Sequence, residues 1–229
     1  MEFTNFVIAL LGGVLPALFW LWFWLREDNK KPEPTGLLVR TFIAGMAVVP
    51  LVLPLQKLAI TLFSGASLIL VWVIIEETLK YALALMVILW HKAVDEPIDY
   101  IIYMITLALG FAALENALFI WNPLVSGDIS GSIITGNFRF LGATLIHVLS
   151  SGVIGVFLAI AFYKRDIIKL IAGTFGLLVA VLLHTLFNLF IMDANGEAIL
   201  SIFVVVWLLV ILMFLMFERV KILELNHRK

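Results

Sequence analysis

The chain has 229 residues, of which 63% are hydrophobic and only 14% are charged. Soluble domains average about 45–50% apolar and roughly 25% charged residues, so a mean hydropathy of +1.14 excludes an ordinary soluble domain. A net charge of −1 provides no basic surface for nucleic acid. The absence of cysteine excludes disulfides, thiol catalysis and thiolate metal sites. We therefore expect residues 1–229 to form a single domain embedded in the lipid bilayer, with no nucleic-acid partner.

Seven apolar stretches are each long enough to cross a bilayer as a helix, which takes about 20 residues. The first lacks the basic start and the Ala-x-Ala site of a cleaved signal peptide, so we expect it to remain as an anchor. The connections between the stretches are short, which leaves no room for a separate soluble domain. The sequence thus predicts an all-α, polytopic membrane bundle of about seven transmembrane helices. The predicted spans are residues 5–25, 41–61, 66–90, 100–121, 138–163, 170–192 and 198–217.

The distribution of lysine and arginine predicts how the bundle is oriented, because cytoplasmic loops carry an excess of both. One side of the predicted bundle has only Lys57 and Arg139, both at helix ends. The N-terminus is therefore predicted to lie outside and the C-terminus in the cytoplasm, in a multi-pass protein of the cell membrane. The basic residues of the other side are Arg26, Lys30, Lys31, Arg40, Lys92, Lys164, Arg165, Lys169, Arg219, Lys221, Arg228 and Lys229.

Six ionisable residues lie deep inside predicted spans, where each charged group costs about 2.5–3.5 kcal/mol on insertion scales. All of them belong to four consecutive helices within about residues 66–192. At a rise of about 1.5 Å per residue, the acids and imidazoles lie at depths of about 9–15 Å from the outer ends of their spans. Neighbouring helices run in opposite directions, so this common depth predicts one site in the outer half of the membrane. The six residues are Glu76, Glu77, Lys80, Glu115, His147 and His184.

Helical geometry adds local detail to this site. Lys80 projects between Glu76 and Glu77, about one turn away, so its ammonium is expected to reach both carboxylates. One lysine cannot neutralise two carboxylates. One of the two glutamates is therefore suited to general acid–base chemistry. His184 and Asn188 are four residues apart and share a helix face.

Each of these residues also has a structural interpretation. The Glu76–Lys80 pair could fix helix packing as an intramembrane ion pair, and single histidines or asparagines could hydrogen-bond between helices. Arg139 could be an interfacial anchor or could contact substrate or lipid. Two known intramembrane chemistries are absent, because the chain contains neither His-Glu-x-x-His nor Gly-x-Gly-Asp. The shared depth of the acids, the lysine and the two histidines favours a functional site.

The polar segments of these helices resemble a known family. The segment EETLK at 76–80 resembles the E-E-x-x-K motif of PrsW-type intramembrane proteases, and FAALEN at 111–116 resembles their second motif. His147 and the segment HTLFN at 184–188 resemble the later histidine motifs. The wider clan includes the CAAX prenyl endopeptidases, from which this chain departs by Lys80 at a shorter spacing and by Glu115 in place of a histidine. The resemblance implies extracytoplasmic cleavage of a single-span membrane protein, an anti-sigma factor, at the start of a bacterial stress response.

Peptide hydrolysis needs an activated water, an oxyanion stabiliser and an acid for the leaving amine. We assign Glu76 as the principal base, with Glu77 as its partner and Lys80 tuning both. Glu115 or His147 would position the water. By analogy with the H-x-x-x-N motif of the clan, His184 and Asn188 would stabilise the oxyanion.

We expect this glutamate chemistry to work without a tightly bound metal. The alternative is a zinc ion held by Glu115, His147 and His184, a donor set that matches catalytic His₂Glu sites. Two functions of other classes also stay open at this point. Buried acids and histidines build proton relays in proton-coupled transporters, and a relative without activity could act as a membrane scaffold or immunity protein.

Overall fold

The computed structural model describes residues 2–28, 31–193 and 199–227. Within these ranges the chain is helical with no strand, which confirms the all-α prediction. A π-helical turn, Leu85–Leu89, extends α3, and another, Arg139–Ala143, joins α5 to α6 without a break. The helices are α1 Glu2–Leu25, α2 Thr35–Leu62, α3 Gly65–Ala84, α4 Pro97–Val125, α5 Ile129–Phe138, α6 Thr144–Ile160, α7 Asp166–Asp193 and α8 Ile199–His227.

Six helical segments among the described residues are long and apolar enough to cross a membrane. The continuous unit of α5 and α6 counts as one of them, Ile129–Ile160. The remaining long helix, α3, carries Glu76, Glu77 and Lys80, whose charges lower its apolar character. These seven units correspond to the seven predicted stretches. Most of the predicted connection at 193–197, together with Lys30, Arg228 and Lys229, lies outside the described residues.

The connection predicted at residues 122–137 is largely helical instead. Helix α4 continues to Val125, and α5 begins at Ile129 after a turn in which Gly127 has a φ of +82°. The Asp128 side chain caps α5 by accepting a hydrogen bond of 2.8 Å from the backbone N–H of Gly131. Hydropathy detects helices long enough to cross a bilayer, so this short helix was not resolved in the sequence.

Helix α4 lies at the centre of the bundle, in contact with α1, α2 and α6. Every residue from position 97 to position 113 is buried. Glycines allow α2 to approach closely, because a Cβ on Gly45 would lie 2.0 Å from the Leu107 carbonyl oxygen and one on Gly110 would lie 1.9 Å from that of Phe42. This close packing fixes α4, and with it Glu115, against the helices that carry the other polar residues.

Candidate active site

Side chains from five helices converge on a cavity of about 500 Å³. Its lining residues come from the second half of α2, the first half of α3, the second half of α4 and the end of α7. The cavity therefore lies towards the end of the bundle opposite to the connections after α1, α3 and α6. Glu77 and Lys80 lie behind the cavity wall and are completely buried. The polar residues lining the cavity are Gln56, Trp72, Glu76, Glu115, Asn122, Arg139, His147, His184 and Asn188.

Glu77 is the centre of the buried layer. Its Oε1 atom lies 2.5 Å from Lys80 Nζ and 2.7 Å from His184 Nδ1. The Ser151 hydroxyl donates a long hydrogen bond of 3.5 Å to the other carboxylate oxygen. Glu77 therefore neutralises Lys80 and fixes the ring of His184, because the contact at Nδ1 turns Nε2 towards Glu76.

His147 connects this buried layer to Glu115. Its Nδ1 atom lies 3.3 Å from Lys80 Nζ, and its Nε2 atom lies 3.0 Å from Glu115 Oε2. Because an ammonium only donates, Nδ1 accepts from Lys80, which places the ring proton on Nε2 and allows it to donate to Glu115. The His147 and His184 rings meet edge to face, with centroids 4.8 Å apart.

Arg139, at the start of the π-helical turn, holds the outer part of the site. Its guanidinium forms a salt bridge with Glu115 and donates from Nε to Asn116 Oδ1 at 2.5 Å. The guanidinium also lies 3.9 Å from the centroid of the Phe119 ring, a cation–π contact. Arg139 was predicted to be an interfacial anchor or a contact for substrate or lipid. In this structure it is instead the ion-pair partner of Glu115.

Glu76 lines the cavity and has one carboxylate oxygen without a hydrogen-bond partner among the described residues. Gln56 donates a hydrogen bond of 2.7 Å to Oε1, whereas Oε2 is buried with no hydrogen-bond partner among the described residues. The nearest imidazole nitrogen, His184 Nε2, lies 3.9 Å from Oε2. A carboxylate oxygen and an imidazole nitrogen therefore lie close together on two residues that line the cavity.

The structure thus places the seven residues chosen from the sequence at one location, but with different pairings. Lys80 was expected to reach both glutamates, and within the described structure it forms an ion pair with Glu77 alone. The reason is that Glu76 points to the cavity, while Glu77 points into the packed interior with Lys80. Asn188 lines the cavity one turn from His184, as the spacing predicted.

Gln56 is a site residue that the sequence analysis missed. Helix α2 has no ionisable residue deep in its span, and for this reason no site residue was predicted there. The available signal was an uncharged amide inside an apolar span, between Pro54 and Lys57. Trp72 supports it from α3 by donating from Nε1 to the Gln56 carbonyl oxygen at 3.2 Å.

The residues that could hold a metal ion are Glu76, His147 and His184, whose donor atoms lie within 4.8 Å of one another. This set has the chemistry of a catalytic zinc site, and the contact of Glu77 with His184 Nδ1 is the usual support for such a ligand. The carboxylate of this set is Glu76, whereas the zinc site considered from the sequence used Glu115. Glu115 is instead engaged by Arg139 and His147. His147 could bind an ion only by releasing Lys80 or Glu115, since both of its ring nitrogens are in contact.

Comparison with known proteins agrees with the motifs. Residues 33–216 match the family described as PrsW family intramembrane metalloprotease. The chain is 27% identical to Protease PrsW of Bacillus subtilis over 177 residues, which cover 76% of this chain and 78% of the relative. It is 26% identical to Protease PrsW of Shouchella clausii, covering 90% and 94% of the two chains, and 26% identical to Protease PrsW of Clostridioides difficile, covering 91% and 88%. No solved structure gives a significant match.

Proposed function

This chain belongs to the PrsW family of intramembrane proteases, and from this premise we propose that it cleaves a membrane-anchored protein by water activated at Glu76. The observation that carries the proposal is the unpartnered Oε2 atom of Glu76, which faces the cavity beside His184 Nε2. Membership of this family makes the chain a protease and favours that activity over the transporter and scaffold alternatives.

In the proposed reaction, Glu76 Oε2 accepts a proton from a water molecule as that water attacks the scissile carbonyl carbon. Gln56 keeps the carboxylate oriented by donating to its other oxygen. The protonated Glu76 then transfers this proton to the departing amine, so that the carboxylate is regenerated as the peptide bond breaks. The net reaction consumes one water and yields a carboxyl terminus and an amine terminus.

The oxyanion would be stabilised by His184 and Asn188, which line the cavity one helical turn apart. For this role His184 Nε2 must carry a proton, while Nδ1 lies 2.7 Å from the Glu77 carboxylate, which fixes the ring. A donor of this kind is worth about 3–4 kcal/mol of the barrier. Glu115 and His147 also line the cavity, where they would position the water and the substrate.

The same residues would hold a divalent ion if one binds, with Glu76, His147 and His184 as ligands. Such an ion would polarise the attacking water and stabilise negative charge on the carbonyl oxygen. A ligating His184 Nε2 has no proton to donate, so the two roles of this nitrogen exclude each other. Because His147 is engaged at both ring nitrogens, only two donors are ready to bind, whereas catalytic zinc sites use three protein ligands.

We therefore predict that cleavage does not require a tightly bound metal. The purified protein should keep its activity after exhaustive chelation, and elemental analysis should find well under one zinc per chain. Stoichiometric zinc, with activity lost on chelation and restored by zinc, would contradict this prediction and assign Glu76, His147 and His184 as ligands.

The proposed substrate is a single-span membrane protein, with an anti-sigma factor as the specific candidate, cut near the extracytoplasmic face of the cell membrane. The family resemblance supports the choice of substrate. The side of cleavage is supported by the position of the cavity, which lies towards the end of the bundle opposite to the connections that contain Lys31, Lys92 and Lys164. Positively charged connections mark the cytoplasmic side.

Co-expression tests this function directly. Candidate single-span proteins, including the anti-sigma factors of the host, would carry different tags at their two ends and be expressed with the wild type or with an empty vector. We expect a wild-type-dependent cut near the extracytoplasmic end of the substrate span. Cleavage confined to the cytoplasmic end of the span would contradict the proposed side.

The orientation predicts a second result. A reporter that is active only in the cytoplasm should give a signal when fused after Lys31, Lys92 or Lys169, and should be silent when fused after Gly131. A reporter that works only outside the cytoplasm should give the reverse pattern. Cytoplasmic activity at Gly131 would invert the topology and, with it, the side on which the cavity opens.

A further inference from the structure

A second cluster of buried acids lies at the end of the bundle opposite to the cavity. Asp28 follows α1, Glu33 comes just before α2, Glu96 caps the start of α4, and Asp99 lies in the first turn of α4. None of the four is more than 8% exposed. Acidic residues are almost never fully buried unless they are paired, so four at one location require an explanation.

Three of these carboxylates converge on a common point. Asp28, Glu96 and Asp99 each offer an oxygen, and these three oxygens lie within 4.8 Å of one another. Glu33 borders the cluster, where it accepts a hydrogen bond from the Tyr103 hydroxyl. The convergence brings the connection between α1 and α2 against the start of α4.

Two oxygen atoms of the cluster have no hydrogen-bond partner within the described ranges, and both are buried. They are Asp28 Oδ2 and Asp99 Oδ1, on residues that are 4% and 1% exposed. The other oxygen of Asp99 is satisfied, since it accepts from the backbone N–H groups of Asp95 and Glu96 at 2.8 and 2.7 Å. Asp99 is thus held in place by one oxygen, and its carboxyl group also contacts the Glu33 side chain. Asp28 Oδ2 is therefore the buried oxygen that is left available to a cation.

In the described part of the chain, no lysine or arginine forms an ion pair with Asp28, Glu33 or Asp99. Lys31 forms an ion pair with Asp95, lies 3.6 Å from Glu96, and is half-exposed at the rim of the cluster. Asp28, Glu33 and Asp99 are thus buried together without an ion-pair partner among the described residues. Burying like charges together with unpaired oxygens is costly unless something else compensates them.

We propose that Asp28, Glu96 and Asp99 bind one hard divalent cation, of the Mg²⁺, Ca²⁺ or Mn²⁺ class. Carboxylate oxygens are the ligands these ions prefer, and an all-oxygen site without histidine or cysteine does not favour zinc. The ion would tie the connection between α1 and α2 to the first turn of α4, the central helix of the bundle. This site is separate from the cavity and serves the stability of the bundle, not the hydrolysis.

The test uses the purified full-length protein in detergent, stripped of metal with a chelator. Binding is followed by the paramagnetic resonance of Mn²⁺, with Mg²⁺ and Ca²⁺ as competitors, and thermal unfolding is measured with each ion. The diagnostic variant is Asp28→Asn, because Asp28 does not cap a helix and its replacement removes one charge at constant size. Asp95→Asn is the matched control, since its exposed carboxylate lies beside the cluster but outside the converging set.

We expect the wild-type chain to bind one Mn²⁺. Whichever of Mg²⁺ and Ca²⁺ binds more tightly should displace the Mn²⁺ and raise the unfolding temperature. Asp28→Asn should weaken binding by about 10-fold or more, whereas Asp95→Asn and the cavity variant Glu76→Gln should bind like the wild type. In chelator, Asp28→Asn should unfold at the same temperature as the wild type or higher, because a like charge has been removed. Absence of saturable binding by the wild type would overturn the proposal, as would binding that is lost in Glu76→Gln and retained in Asp28→Asn.

Discussion

Replacing Glu76 by glutamine is expected to lower the rate of cleavage by a factor of about 10²–10⁴, the usual contribution of a general base. Glutamine keeps the size of the side chain and can still accept from Gln56, but its amide cannot take a proton from water. The chain should stay inserted and folded, because Glu76 Oε2 has no hydrogen-bond partner in the described structure whose loss would destabilise it.

The measurement is the initial rate of clipping of a co-purified substrate, with thermal unfolding recorded on the same samples. Glu2→Gln provides the matched control, since it makes the same chemical change at an exposed position in the first turn of α1. Its rate should equal that of the wild type. Wild-type cleavage by Glu76→Gln would show that another group activates the water and would end the role proposed for this carboxylate.

The spans and the general position of the site could be predicted from the sequence because both follow from strong energetic constraints. An apolar stretch of about 20 residues has few alternatives to a membrane helix. An ionisable residue inside such a stretch is costly, so several at one depth must lie close enough to compensate each other. Glu77, Lys80 and His184 compensate each other in this way, since the structure brings them into direct contact.

The pairings could not be predicted, because they depend on side-chain directions and on neighbours from other helices. On a helical wheel Lys80 is equally close to both glutamates, and only the packing of α3 against α6 and α7 selects Glu77. Gln56 was missed because an uncharged amide carries a weaker penalty than a charge. The sequence analysis did not single out Asp28 and Asp99 either, since acids near predicted span ends are ordinary until the fold shows that they are buried.

The second large effect is expected at the buried Glu77–Lys80 pair, where single and double replacements should separate stability from chemistry. Glu77→Gln leaves the completely buried Lys80 ammonium without its carboxylate, and Lys80→Met leaves Glu77 without its ammonium. Removing one partner of a buried ion pair costs about 3–5 kcal/mol. Each single variant should therefore unfold at a clearly lower temperature than the wild type.

The double variant, Glu77→Gln with Lys80→Met, removes both charges together and should recover most of the lost stability, because neither partner is left uncompensated. Its activity should not recover. A neutral amide at position 77 no longer holds the His184 ring through a charged contact at Nδ1, so the oxyanion donor is misplaced, which costs a factor of about 10²–10³ in rate. A double variant that regained both stability and cleavage would show that Glu77 serves only to neutralise Lys80. One that stayed as unstable as the single variants would show that contacts with His184 and His147, and not the ion pair, hold this layer together.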